Sequence, residues 1–138
     1  MMLVPAQQKY KKSQKGKAFN RIKFNKLQFK CGQIGLKAVS SQRISSKQLI
    51  TLYNHLRKYF KKRGKIFLRV FPQKSITKKP TEVRMGKGKG SFHSWVVCLS
   101  PGLVICEIST PYIRFAKKVL HGLRPKLSFK TVVVYRLL

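Results

Sequence analysis

Three sets of side chains in this sequence could in principle carry catalysis or hold a metal, and a fourth could carry binding. His55, His93 and His121 could serve acid–base chemistry, since a small basic ribonuclease can work with two histidines and a lysine. Each has a simpler place: His55 near an apolar helical stripe, His93 beside a glycine-rich run, His121 at the end of a second helix. No spacing draws any two of them together. The carboxylates are Glu82 and Glu107 alone, and the chain has no Asp, so it lacks the acidic pair that carboxylate catalysis or a hard metal needs. Cys31, Cys98 and Cys106 form no CxxC pair and have no histidine at ligand spacing. They fit reduced residues better than a zinc site or a disulfide scaffold. Cys98 and Cys106 flank Pro101-Gly102, which predicts a turn between neighbouring strands. The chain is expected to be no enzyme and to hold no metal or cofactor.

The fourth set is Arg84-Met85-Gly86-Lys87-Gly88-Lys89-Gly90. Glycines at alternate positions open backbone conformations closed to other residues and let the chain approach another backbone closely. Arg84, Lys87 and Lys89 add three cations, giving a narrow tip able to thread among phosphates. A Walker loop would end in Gly-Lys-Ser/Thr and enter a helix, whereas Gly90-Ser91 leads into a strand. A dinucleotide fingerprint would also need that helix, with an acid about twenty residues on.

The whole composition agrees with a polyanionic partner. Against 32 Lys+Arg stand two acids, a formal net charge of +30 in 138 residues. Two carboxylates cannot neutralise that charge internally, so the compensating anion must come from outside. Hydrophobic residues make up 43%, enough for a folded core. A membrane partner is not expected, because no apolar run approaches the length of a span. Met1 to Ala6 is too short for a signal-peptide apolar core. Nucleic acid remains.

The elements that must position these residues follow from periodicity. Residues 1–30 are a basic arm (Lys9, Lys11, Lys12, Lys15, Lys17, Arg21, Lys23, Lys26, Lys30) interleaved with Tyr10, Phe19, Phe24 and Phe29. Its cations suit phosphates and its rings suit stacking. Residues 31–138 read as one α+β domain. Gly35 to Val39 predicts a strand, and Ser45 or Ser46 caps a helix to about Arg63 with Gly64 as its stop. Leu49, Leu52, Tyr53, Leu56 and Phe60 share one helical face. Strands are predicted over 65–71, 82–85, 92–99, 103–108 and 129–135, with 73–81 a polar loop. Thr110-Pro111 opens a second helix to about Leu120, with Ile113, Ala116 and Leu120 inward. The expected architecture is a mixed sheet with two helices.

A family resemblance rests on specific runs. Gly64-Lys65-Ile66-Phe67-Leu68-Arg69-Val70-Phe71-Pro72, then Ile76-Thr77-Lys78-Lys79-Pro80, Val83 through Gly90, and Trp95-Val96 resemble the bacterial and organellar sixteenth large-subunit ribosomal protein family. Gly35-Leu36-Lys37-Ala38-Val39 and the early Pro5, Lys9-Tyr10-Lys11-Lys12 and Lys15-Gly16 match as well, so the similarity runs from near residue 5 to about 107. The resemblance implies two helices on a mixed, partly barrel-like sheet and a structural role in the large subunit. It implies binding to large-subunit rRNA, with the glycine-lysine loop reaching toward the peptidyl-transferase region and the A-site tRNA. Carried over by position, Arg84, Met85, Gly86, Lys87, Gly88, Lys89 and Gly90 form that loop. Lys9, Lys11, Lys12 and Lys15 belong to the rRNA-contacting arm. Partners would be rRNA, A-site tRNA and neighbouring ribosomal proteins, with no homo-oligomer.

The sequence also departs from the family. His93-Ser94 precede Trp95 where an acid and a Tyr are usual, and Arg114, Lys117 and Lys118 stand where the second helix has Glu. Pro125 and Lys126 depart from the usual ending. The bias toward Lys, Phe and Ile suggests an AT-rich, organelle-encoded gene and a mitochondrial ribosome, with plastid or bacterial cytoplasm as the alternatives. A DNA-compacting protein is the rival binding class, but neither symmetric arms nor an exposed recognition helix is legible.

Overall fold

In the computed structural model, residues 3–14, 16 and 28–136 are described. The elements run β1 (Ile34–Ala38), β2 (Gln42–Ser45), α1 (Ser46–Phe60), β3 (Lys65–Leu68), β4 (Lys74–Lys78), β5 (Ser91–Leu99), β6 (Val104–Ser109), α2 (Ile113–Leu123) and β7 (Thr131–Tyr135). One sheet has the order β3-β6-β1-β7 and the other β2-β5-β4. The α+β class and the two helices are as expected. The sheet itself divides into two, neither closes into a barrel, and the pairings among the described residues are antiparallel.

The helices cover the sheets with the stripes their sequences carry. Leu49, Leu52, Leu56 and Phe60 of α1 are buried. So are Ala116, Val119, Leu120 and Leu123 of α2, whereas Ile113, expected inward, is 42% exposed. Phe60 meets Phe115 edge-on at 5.7 Å, joining the two helices. From the sheets, Ile34, Leu36 and Ala38 of β1 and Ile105 and Ile108 of β6 enter the same core. Leu3, from the arm, docks there too.

Ser45 caps α1 through a capping box: its hydroxyl accepts from Gln48 N, and the Gln48 side chain accepts from Ser45 N. The helix ends at Phe60 rather than Arg63, because Lys61 turns to φ 36° and Arg63 N closes a tight turn on Phe60 O. Gly64 is therefore no helix stop. A Cβ there would stand 3.0 Å from Ser109 O and 3.1 Å from Thr110 Cβ, a tight fit that glycine relieves where the chain approaches β6. Thr110 does not start α2 directly. Its hydroxyl donates to Arg63 O at 2.9 Å and accepts from Tyr112 N at 3.2 Å, tying together the turns that flank the helices.

Several strand boundaries move for physical reasons. The polar segment 73–81 contains β4, which pairs with β5 and buries Ser75 between Lys74 and Ile76. Residues 82–85 form no strand: Val83 N turns back to Pro80 O, and Val83 and Met85 are exposed with no strand to pair with. The β3 ladder ends at Leu68, with one more bond from Arg69 N to Ile105 O. Pro101-Gly102 is a turn, with Gly102 at φ 80°, but it carries the chain from one sheet to the other. Cys98 and Cys106 consequently lie in different sheets.

Candidate nucleic-acid interface

The glycine-lysine loop is built by two distinct demands on glycine. Gly86, Lys87 and Gly88 have φ of 98°, 49° and 83°, a left-handed run that bends the tip sharply. A Cβ at Gly86 or Gly88 would meet nothing within 4 Å, so conformation alone selects glycine there. Gly90 is the reverse case, since a Cβ would press on the Lys78 carbonyl at 2.8 Å. Lys79 Nζ donates to Gly86 O and braces the loop from β4. Arg84, Lys87 and Lys89 are exposed, and Met85 is 99% exposed. An unbranched thioether left in water at a cationic tip suits contact with another surface.

The arm is brought against this loop. Lys12 Nζ donates to Lys89 O at 3.1 Å, and Lys89 Nζ donates to Ser13 O at 2.6 Å, a reciprocal clasp. Gln8 donates to Gln73 O at 2.7 Å, and the Ser13 hydroxyl donates to Ser75 O at 3.2 Å. These contacts follow β4, an edge strand, and cover its unpaired side. Lys9 lies 5.6 Å from the Tyr10 ring centre, a cation–π contact on a ring that is 70% exposed. Lys11 is exposed beside it. Of the predicted site residues, Lys12 and Lys89 thus meet directly, Lys87 and Met85 project freely, and Lys15 lies outside the described residues, as do Phe19 and Phe24.

Sequence reasoning treated Glu107 only as one of two acids. Its carboxylate is fully buried on β6 and accepts backbone N–H groups from Lys30 (3.2 Å), Cys31 (2.9 Å) and Gly32 (2.9 Å). Arg69 Nε stands 2.9 Å from Oε1 in an ion pair, although its N–H is not aligned for a hydrogen bond. A Cβ at Gly32 would fall 2.6 Å from Glu107 Cβ, so the segment lies flat on the strand. Glu107 therefore fixes the point where the arm leaves the domain. The signal available was an acid inside the apolar run Val104 to Ile108, where a charge requires partners.

The three histidines lie on three different elements, α1, β5 and α2. His93 and His121 are exposed on β5 and α2. His55 Nε2 lies 2.7 Å from Lys126 Nζ, which can only donate, so the ring is neutral with its proton on Nδ1. Burial, then Lys126, then Lys58 push its pKa below the ordinary 6.5. Among the described residues no cluster of three or more His, Cys, Asp or Glu could hold a metal ion. The Cys106 thiol is pushed up to about 12, chiefly by burial, which keeps it inert. Arg57, Lys58, Lys61 and Lys62 line a shallow cationic cleft at the end of α1. No helix among the described residues is long and apolar enough to cross a membrane.

An acid-poor surface, an arm clasped to a left-handed cationic loop and two sheets under two helices are the features a comparison must explain. The family model described as ribosomal protein L16p/L10e matches residues 5–134, which takes in the arm from Pro5 onward, the loop and every strand but the last residue of β7. The chain belongs to the ribosomal protein L16p/L10e family, and is thereby a structural protein of the large ribosomal subunit with rRNA and other ribosomal proteins as partners.

Proposed function

We propose that the arm and the glycine-lysine loop form one continuous contact surface on large-subunit rRNA, and that the loop tip helps position A-site tRNA near the peptidyl-transferase region. The observation that carries this reading is the tip itself. Gly86, Lys87 and Gly88 are left-handed, Met85 is fully in solvent, and the loop base is held by Lys79, Lys12 and Lys89. Such a tip is narrow enough to enter a phosphate-lined crevice, while its braced base transmits position. Lys9, Lys11, Lys12 and Lys15 would anchor the arm on phosphates, with Tyr10 as a stacking ring. Peptide-bond chemistry stays with the RNA, so the protein is not an enzyme. In this reading residues 1–30 are the arm and 31–138 the single domain that carries it, and the bias toward Lys, Phe and Ile favours a mitochondrial ribosome over a plastid or bacterial one.

The test is Lys87→Ala in a strain whose ribosomes depend on this protein. Large subunits should accumulate normally while the translation rate and A-site tRNA affinity fall. Loss of the variant from large subunits would make the loop an assembly element instead.

A further inference from the structure

Between the arm and the three-stranded sheet lies a recess of about 120 Å³, lined by Ser13, Arg43, Lys74, Ser75, Ile76, Thr77 and Lys89. Three cations from three parts of the chain converge on it: Arg43 from β2, Lys74 from β4 and Lys89 from the loop base. No carboxylate lines it. Glu107 is committed to Arg69 on the other sheet, and Glu82 is exposed in the turn after Pro80. Three hydroxyls share the recess, and one of them, Ser75, is 97% buried.

These groups are already held in place. The Ser13 and Ser75 hydroxyl oxygens lie 3.1 Å apart, Lys89 Nζ is fixed on Ser13 O, and Arg43 donates to Gly16 O at 2.5 Å. An ammonium has three donors, so Lys89 keeps some for a further acceptor. Among the described residues Lys74 Nζ meets no acceptor, although it lies at Gly16 where the Arg43 bond ends. Three like charges around a partly enclosed space repel one another, and an anion with several oxygens converts that repulsion into attraction. Fixed ammonium, guanidinium and hydroxyl donors suit a tetrahedral oxyanion.

We propose that this recess is a phosphate-binding site, and that in the assembled particle it takes one backbone phosphate of the rRNA. The rRNA assignment rests on the function proposed above; the recess itself does not. An anion there bridges arm, sheet and loop base, so the arm docks fully when the RNA supplies the phosphate.

The test is a titration of the full chain with inorganic phosphate, chloride being replaced at constant ionic strength. The thermal midpoint and the amide resonances of Ser75 and Thr77 are followed. Wild type should respond saturably. Lys74→Gln should weaken half-saturation about tenfold, the equivalent of one charge-assisted hydrogen bond. Thr77→Val, which keeps every charge, should weaken it to a smaller extent. Lys117→Gln with Lys118→Gln, a larger charge loss on α2, should leave it unchanged. A response that never saturates, or that the α2 pair weakens as much as Lys74→Gln does, would overturn the site. A second arm identifies the source of the phosphate. Lys74→Gln should reduce the slope of log affinity against log salt for large-subunit rRNA by about one. Saturable phosphate binding with an unchanged slope would overturn the backbone source and leave free phosphate as the ligand. Wild-type protein that takes phosphate but ignores rRNA would sink the functional reading while sustaining the recess.

Discussion

Truncating Glu107 to alanine should destabilise the folded chain by about 3–5 kcal/mol, the range for stranding one partner of a buried ion pair. The figure can be built from the contacts. The carboxylate accepts three backbone N–H groups and faces Arg69 Nε at 2.9 Å. Each buried donor left without a partner costs about 1–3 kcal/mol. Lys30 and Cys31 are exposed, so water can replace part of their loss, whereas Gly32 N is buried against β6 and the Arg69 side chain is only 22% exposed. One donor at near full cost, the Arg69 charge left without its counter-ion, and two donors at a fraction of their cost give the stated range. Urea unfolding of the full chain at moderate salt measures the loss, and amide exchange at Cys31 and Gly32 shows where it falls. Both amides should lose protection before the core does, because the arm root would detach first. Glu107→Gln, which keeps one acceptor oxygen, should fall between the two, and Glu82→Ala should stay within about 0.5 kcal/mol of wild type. A loss below about 1 kcal/mol with unchanged exchange at 31 and 32 would refute the account of Glu107 as the anchor of the arm.

Four further outcomes follow from other parts of the fold. His55 holds its proton less tightly when folded, so the unfolded state protonates first as pH falls through 6.5. Its contribution to stability is fully present above that value and lost as pH falls below it; a ring titration midpoint at or above 6.5 would contradict this. Gly88→Ala should cost about 1–2 kcal/mol by thermal unfolding, from backbone strain alone. Gly90→Ala should additionally displace the loop from β4, visible as changed resonances at Lys78 and Lys79, and unchanged resonances there would count against the close approach. Thiol labelling of native protein should proceed at Cys31 and wait for unfolding at Cys106, and rapid native labelling of Cys106 would show the core to be open.

What the sequence disclosed follows the strength of local signals. α1 was legible because Leu49, Leu52, Leu56 and Phe60 repeat at helical spacing behind a capping serine, and all four are buried. β6 was legible as an apolar run. β4 was not, since Lys74 to Lys78 has Ile76 as its single apolar residue and pairs with β5 rather than burying an apolar face of its own. Pro101-Gly102 reads locally as a hairpin turn, yet β5 pairs with β2 and β4 while β6 pairs with β1 and β3. Partner choice among distant strands leaves no trace at the turn. The cationic glycine loop was visible in its residue types. Its clasp to the arm was not, because Lys12 and Lys89 are 77 residues apart and meet only through the fold. The donors on Glu107 are backbone N–H groups, which every sequence carries alike.

In the function proposed above, the braced loop presents Lys87 to tRNA. That role is tested most directly by a photo-crosslinking residue placed at position 87 in assembled large subunits, with and without A-site tRNA. An adduct to tRNA should appear when the A site is filled and be absent from a probe at position 117 on α2. Crosslinks from position 87 to rRNA alone, unchanged by tRNA occupancy, would contradict it.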